Sequence, residues 1–208
     1  MTFTSRDLGA LNDRLFTILS DKDFLAMKGL ANEVPLFIQT YHPAQEDGVR
    51  RMVDALQGRL RSAGVVAKAV DLFALVLEEL DECQILDGVL TGEAGWKKRA
   101  LLETLQNYSD PKIHLIPRLM KAIGEDGPQV TLLTGPGRLF PFLRTHTMLE
   151  SLQPAMIRHP VVMFFPGEYR QDSTGGSSLR LFGTLPIPRI HNAYYRAFNL
   201  DHYRPSSS

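Results

Sequence analysis

Four short apolar runs constrain this 208-residue chain more than any other feature: Val34 to Thr40 (VPLFIQT), Val65 to Asp71 (VVAKAVD), Val130 to Leu133 (VTLL) and Pro160 to Phe165 (PVVMFF). Each has the length of a strand. The first reads as a buried strand, with Pro35 tolerable near its start. Residues 44–62 follow it, with Val49, Met52, Val53, Leu56 and Leu60 on one helical face and arginines on the other. Gly64 ends that helix, and Leu72 to Glu82 form a second covering helix after the second strand. Strand, helix, strand, helix at this spacing implies βαβ units and a parallel sheet.

The rest of the chain fits around that frame. Residues 6–19 repeat leucine and isoleucine at helical spacing, with Thr4 or Ser5 as the expected cap. Residues 85–126 read as a helical insertion in which Asp110 caps and Pro111 opens a helix, and Pro117 splits or kinks the segment. Thr145 or Thr147 is the expected cap of a helix running to about Leu152. Pro166–Gly167 is expected to close the fourth strand, and QDSTGGSS (171–178) reads as a flexible loop. Leu179 to Thr184 and Tyr194 to Leu200 alternate more, with no long helix between them, and are expected to pair antiparallel at a sheet edge. The expected architecture is α/β: a single three-layer domain over 1–203, with a mainly parallel central sheet, helices on both faces and an antiparallel C-terminal edge. Residues 204–208 read as a disordered tail.

Composition excludes several functions. Lys plus Arg and Asp plus Glu are 23 each, so bulk charge does not drive nucleic-acid binding. The lone cysteine, Cys83, has no partner for an intrachain disulfide and reads as a buried small apolar residue. The N-terminus lacks a signal-peptide pattern and no apolar run approaches the length of a membrane span, so a cytoplasmic protein without membrane contact is expected. The six histidines show no HxH or HExxH spacing, and no metal or cofactor is expected. A Walker loop and a GxSxG elbow are both absent, and no catalytic residue is assigned.

The third strand runs into Thr134-Gly135-Pro136-Gly137, followed by Arg138, Phe140-Pro141-Phe142, Arg144 and His146. Such strand-to-helix junctions are where α/β proteins place ligands and partners. Arg138 and Arg144 have the forked donors that grip phosphate, but Pro136 removes an amide from any cradle and no lysine follows. His146 with Arg144 and Glu168 has the composition of an acid/base site, if the strand ends bring them together. Tyr194, Tyr195 and Arg196 combine aromatic and guanidinium groups, as interface hot spots do. The candidate interaction residues are therefore Arg138, Phe140, Phe142, Arg144, His146, Glu168, Tyr194, Tyr195 and Arg196. The alternative is a nucleotide- or nucleic-acid-binding α/β protein without a Walker motif.

The blocks TGPGRLFPFLRTHTMLESLQ (134–153), VVMFFPGEY (161–169), LRLFG (179–183) and YYRAFNL (194–200) stand in that order. KGLANEVPLFIQTY (28–41) and AVDLFALVLEEL (69–80) lie upstream of them. Together they resemble the BrxB family of the bacteriophage exclusion (BREX) systems. The family's turn is nearer Gly-Val-Gly, whereas Pro136 separates the glycines here. The resemblance implies a small core component supporting phage restriction and BREX-dependent methylation of host DNA. Its implied company is a DNA methyltransferase (PglX), a large ATPase (BrxC) and an alkaline-phosphatase-like protein (PglZ), with PglZ the expected direct partner. It carries over no catalytic residues.

Overall fold

The structure, a computed structural model, describes residues 7–28, 35–92, 95–124, 127–152, 157–171, 177–183 and 197–205. The four apolar runs form β1 (Leu36–Tyr41), β2 (Ala67–Asp71), β3 (Val130–Thr134) and the long β4 (Val161–Gln171). Two small strands follow, β5 (Ser177–Leu181) and β6 (Phe198–Asn199). The order across the sheet is β2-β3-β4-β1-β6, every neighbouring pair parallel, with β5 antiparallel on the far part of β4.

Side chains alternate between the two faces of a strand, and β1 shows where each face leads. Leu36 and Ile38 enter one core with Val70, Leu133, Met163 and Phe165. Phe37 and Tyr41 enter the other with Leu132, Val162 and Phe164. The first core is closed by helices that follow β2 and β3, the second by helices near the N-terminus. On the second face lie α1 (Leu8–Leu19), α2 (Lys22–Leu25) and α3 (Glu46–Ser62). On the first lie α4 (Leu72–Glu82), α7 (Ile116–Ile123) and α8 (Thr145–Leu152). Between α4 and α7 come α5 (Leu86–Gly92) and α6 (Lys98–Tyr108), both against the outer side of α4.

α3 follows from its sequence directly. Its five apolar residues, Val49, Met52, Val53, Leu56 and Leu60, are all buried. Glu46 and Asp47 occupy its first turn and Arg59 and Arg61 its last, matching the helix dipole at both ends. In the insertion, Asp110 accepts from the amides of Lys112 and Ile113, and Pro111 opens a π-type turn to Leu115. α7 then begins with Pro117 in its first turn, so the segment is split where the proline removes a donor.

The structure corrects several expectations. Asp7, not Thr4 or Ser5, caps α1: its carboxylate accepts from Gly9 N at 2.8 Å and Ala10 N at 3.1 Å. Pro166–Gly167 does not close β4. Pairing with β3 stops at Met163, Pro166 still lies in register with Tyr41, and its carbonyl accepts from Phe182 N. Beyond it the strand pairs with β5, and Gly167 is needed because a Cβ there would sit 2.2 Å from the Arg180 carbonyl. Antiparallel pairing is present in β5, whereas the last strand runs parallel beside β1. Cys83 is exposed at the C-terminal end of α4, not buried. Its thiol pKa is raised, by desolvation and then by the Glu79 carboxylate, which disfavours the thiolate. Residues 172–176, most of the expected QDSTGGSS loop, and 184–196 lie outside the described residues, as do 206–208 of the tail. Among the described residues no helix is long and apolar enough to cross a membrane.

One buried polar group fixes the C-terminal segment. Gln39 is wholly buried at the middle of β1. Its amide donates to Asp201 Oδ1 at 3.1 Å and to the Thr40 carbonyl at 3.2 Å. Arg14 of α1 donates to the same Asp201 oxygen at 3.1 Å. Replacing Asp201 removes the acceptor that Gln39 and Arg14 share. Asp201→Ala is expected to cost about 1–3 kcal/mol, read as a lower urea midpoint with an unchanged slope.

Candidate functional site

In a parallel sheet the carboxyl ends of the strands form the usual binding edge, opening where successive crossovers leave on opposite faces. Here the crossover from β1 leaves by α3 on one face, and those from β2 and β3 leave by α4 and α8 on the other. Tyr41, Asp71 and Thr134 therefore end β1, β2 and β3 along one edge.

The predicted junction sits on this edge. β3 is buried throughout and leaves the sheet at Gly135, in the left-handed region at φ +78°. A Cβ at Gly135 would lie 2.6 Å from Asp71 Oδ1 and 2.8 Å from Arg138 Nη2, so glycine is required by both conformation and space. A 3-10 turn, Pro136–Leu139, then turns the Arg138 side chain back across the strand ends.

Arg138 is held from several sides. Its Nη2 donates to Asp71 Oδ2, its Nε lies 3.7 Å from Glu46 Oε1, and its guanidinium lies 5.1 Å from the centre of the Phe73 ring. Asp71 is shared more widely. Its Oδ1 caps α4 by accepting from Phe73 N at 3.0 Å and Ala74 N at 3.3 Å, and Arg50 Nε approaches Oδ2 at 3.7 Å. The Tyr41 hydroxyl donates to Glu46 Oε2. Burial first, and then the Glu46 charge, push the Tyr41 pKa far above its ordinary value. Glu46 Oε1 and Arg138 Nε are buried without a hydrogen-bond partner, facing each other at the salt-bridge distance given above.

The aromatic residues divide by role. Phe142 packs toward the first core, 6.5 Å from Phe73. Phe140 meets Phe182 edge to face at 6.3 Å. Phe182 is 36% exposed and adopts φ +55°, a conformation rare for an aromatic residue. Arg144 is exposed just before α8. His146 is half-buried; desolvation lowers its pKa, Arg144 adds to this and Glu150 opposes it, so the ring is neutral at pH 7. Glu168 is not among the charges that shift it. Glu168 stands instead opposite Arg180 across β4 and β5. Tyr194, Tyr195 and Arg196 lie outside the described residues. Among the described residues no group of three or more His, Cys, Asp or Glu is placed to hold a metal.

Sequence reasoning missed Tyr41, Glu46, Arg50 and Asp71 as members of this site. The signal for Asp71 was present: an acidic residue ending a strand and opening a helix is both a cap and a strand-end group. Nothing local pointed from Arg138 to a partner 67 positions away.

Two predictions follow from this geometry. Gly135→Ala forces a side chain into the left-handed region against Asp71, and should cost about 1–3 kcal/mol in chemical denaturation. Tyr41 keeps its proton in the folded state at pH values where the unfolded chain, with a tyrosine pKa of about 10, has lost it. Its contribution is therefore complete below that pH and lost as pH rises above it. Tyr41→Phe should remove part of the alkaline fall in stability, seen in melting temperatures measured from pH 8 upward.

A family model described as "BREX protein BrxB" matches residues 68–200 of the chain. A BREX protein BrxB of Bacillus cereus (strain H3081.97) is 33% identical over 199 residues, covering 91% of this chain and 97% of that protein. A second, from Escherichia coli O9:H4 (strain HS), is 26% identical over 182 residues, covering 88% and 86%. No solved structure matches the chain.

Proposed function

This chain belongs to the BrxB family of BREX proteins, and from that premise we propose that it is a non-enzymatic adaptor of a BREX phage-defence complex. In this reading it supports phage restriction and BREX-dependent methylation of host DNA, and PglZ is its direct partner. The observation that carries the reading is the consumption of Arg138 inside the fold. Asp71 and Glu46 flank its guanidinium and would repel a phosphate brought to it. The strand-end edge, which holds ligands in many α/β proteins, is filled here by the chain's own ion pairs. That weighs against the nucleotide-binding alternative and makes the junction a rigid platform.

The platform presents groups suited to a protein partner. Phe182 is held partly exposed in a costly backbone conformation, with its ring against Phe140. Arg144 is exposed where the chain enters α8. A few aromatic and arginine anchors dominate the energy of such interfaces. His146 and Phe142 support the loop from within in this reading, and Tyr194, Tyr195 and Arg196 remain candidates for the same contact.

The test is co-purification and titration with PglZ. Arg144→Ala and Phe182→Ser should each weaken the complex by about 2 kcal/mol or more, roughly thirtyfold in Kd. Tyr41→Phe, inside the platform, should leave it unchanged. Full affinity in both surface variants, with melting temperatures unaltered, removes this face from the interface.

A further inference from the structure

Phe182 is a strained residue on the strand-end face. It adopts φ +55° while its ring stays partly exposed, so burial does not offset the backbone cost. Such a conformation persists only where its surroundings over-determine it. Two segments do so here. On its own side, Phe182 N donates to the Pro166 carbonyl at 2.9 Å, and Gly183 N to the Arg180 carbonyl at 3.2 Å. On the other side lies the 136–139 turn, which reaches Phe182 through Gly137.

Gly137 is needed for a different reason from Gly135. Gly135 is left-handed, whereas Gly137 has the backbone of the 3-10 turn and is not among the positive-φ glycines, so alanine could adopt its conformation. Space is what requires glycine there. A Cβ at Gly137 would lie 2.5 Å from Pro166 Cγ and 3.3 Å from Cε1 of the Phe182 ring. The Gly137 carbonyl also accepts from Phe140 N at 3.3 Å. The Phe140 ring in turn meets Phe182 edge to face, with the two planes 89° apart. One residue therefore touches both members of the aromatic pair. The next residue, Arg138, is bound to Asp71, which ties the turn to the end of β2.

We propose that Gly137 is a positioning residue for partner binding: it lets the Phe182 ring seat against Phe140 and so sets the direction in which that ring meets the partner. Gly137 is itself buried and acts only through the two rings. The role rests on the reading given above, in which this face meets PglZ. A ring already seated loses little freedom when the partner arrives, whereas a ring released from Phe140 must be ordered at that moment. Affinity therefore depends on a residue that the partner does not touch.

The test places 4-fluorophenylalanine at position 182 of the full chain and reads its fluorine NMR resonance, alongside titrations with PglZ. Without further change the resonance should be single and narrow, displaced by the Phe140 ring. Gly137→Ala should move or broaden it and raise the Kd for PglZ at least about tenfold. Pro166→Ala removes the Cγ nearest the added methyl, so adding it to Gly137→Ala should return both the resonance and the affinity toward wild type. An unmoved resonance in Gly137→Ala overturns the proposal, as does a moved one with full affinity. A double variant that does not recover does the same. If Gly137→Ala does not fold, Gly137 serves the stability of the fold and the positioning role is overturned. Phe182→Ser separates this role from the reading beneath it. If Phe182→Ser weakens the complex and Gly137→Ala does not, the positioning role alone falls. If Phe182→Ser binds PglZ fully, the reading falls and the positioning role falls with it.

Discussion

The ion pair between Arg138 and Asp71 carries the arrangement of the strand ends. Asp71 closes β2, caps α4 through two amides and receives Arg138 from beyond β3. Arg138 in turn faces Glu46 at the start of α3, and Glu46 takes the hydroxyl of Tyr41 at the end of β1. One chain of contacts therefore ties three crossovers, leaving on opposite faces of the sheet, to a single point. The pairing is short and partly buried, with side chains 30% and 21% exposed, so solvent screens it less than a surface bridge. Removing one partner would leave a carboxylate or guanidinium without its counter-charge, which costs more than the pair contributes when intact.

That arrangement also decides what the site is suited to do. A parallel sheet offers its C-terminal edge to ligands because amides and helix dipoles converge there. In this chain Pro136 removes one such amide and the chain's own carboxylates occupy the arginine. The edge becomes a fixed surface rather than an open one. The neutral His146 adds no charge to it at pH 7, since desolvation keeps its proton affinity low.

The sequence made local order visible and left long-range pairing hidden. The buried face of α3 was readable residue by residue, because a 3.6-residue period reports which side meets a core. The four strands were readable from their apolar runs, and the split of the insertion from Pro117. The strand order was not, since β1 and β4 are neighbours across more than a hundred residues and nothing in either run names the other. The same limit hid Asp71 as the partner of Arg138. Pro166–Gly167 misled for a different reason. A turn signal reads as a stop, but the strand continues through Pro166, and Gly167 leaves room for the Arg180 carbonyl of β5. Cys83 misled because its helix continues α4 to a solvent-facing end, where helical pattern alone does not specify burial.

A formal charge of zero conceals two opposite electrostatic designs within one chain. At the strand ends, acids and bases from three elements meet one another and cancel inside the fold. From α4 to α6 they are kept apart, and Asp81, Asp87, Lys97 and Lys98 form no ion pair among the described residues. Internal cancellation gives rigidity and leaves little field outside; separated charges give direction and reach before contact. The cancelled charges hold the strand ends fixed, and the separated ones are where an approaching charge is felt first.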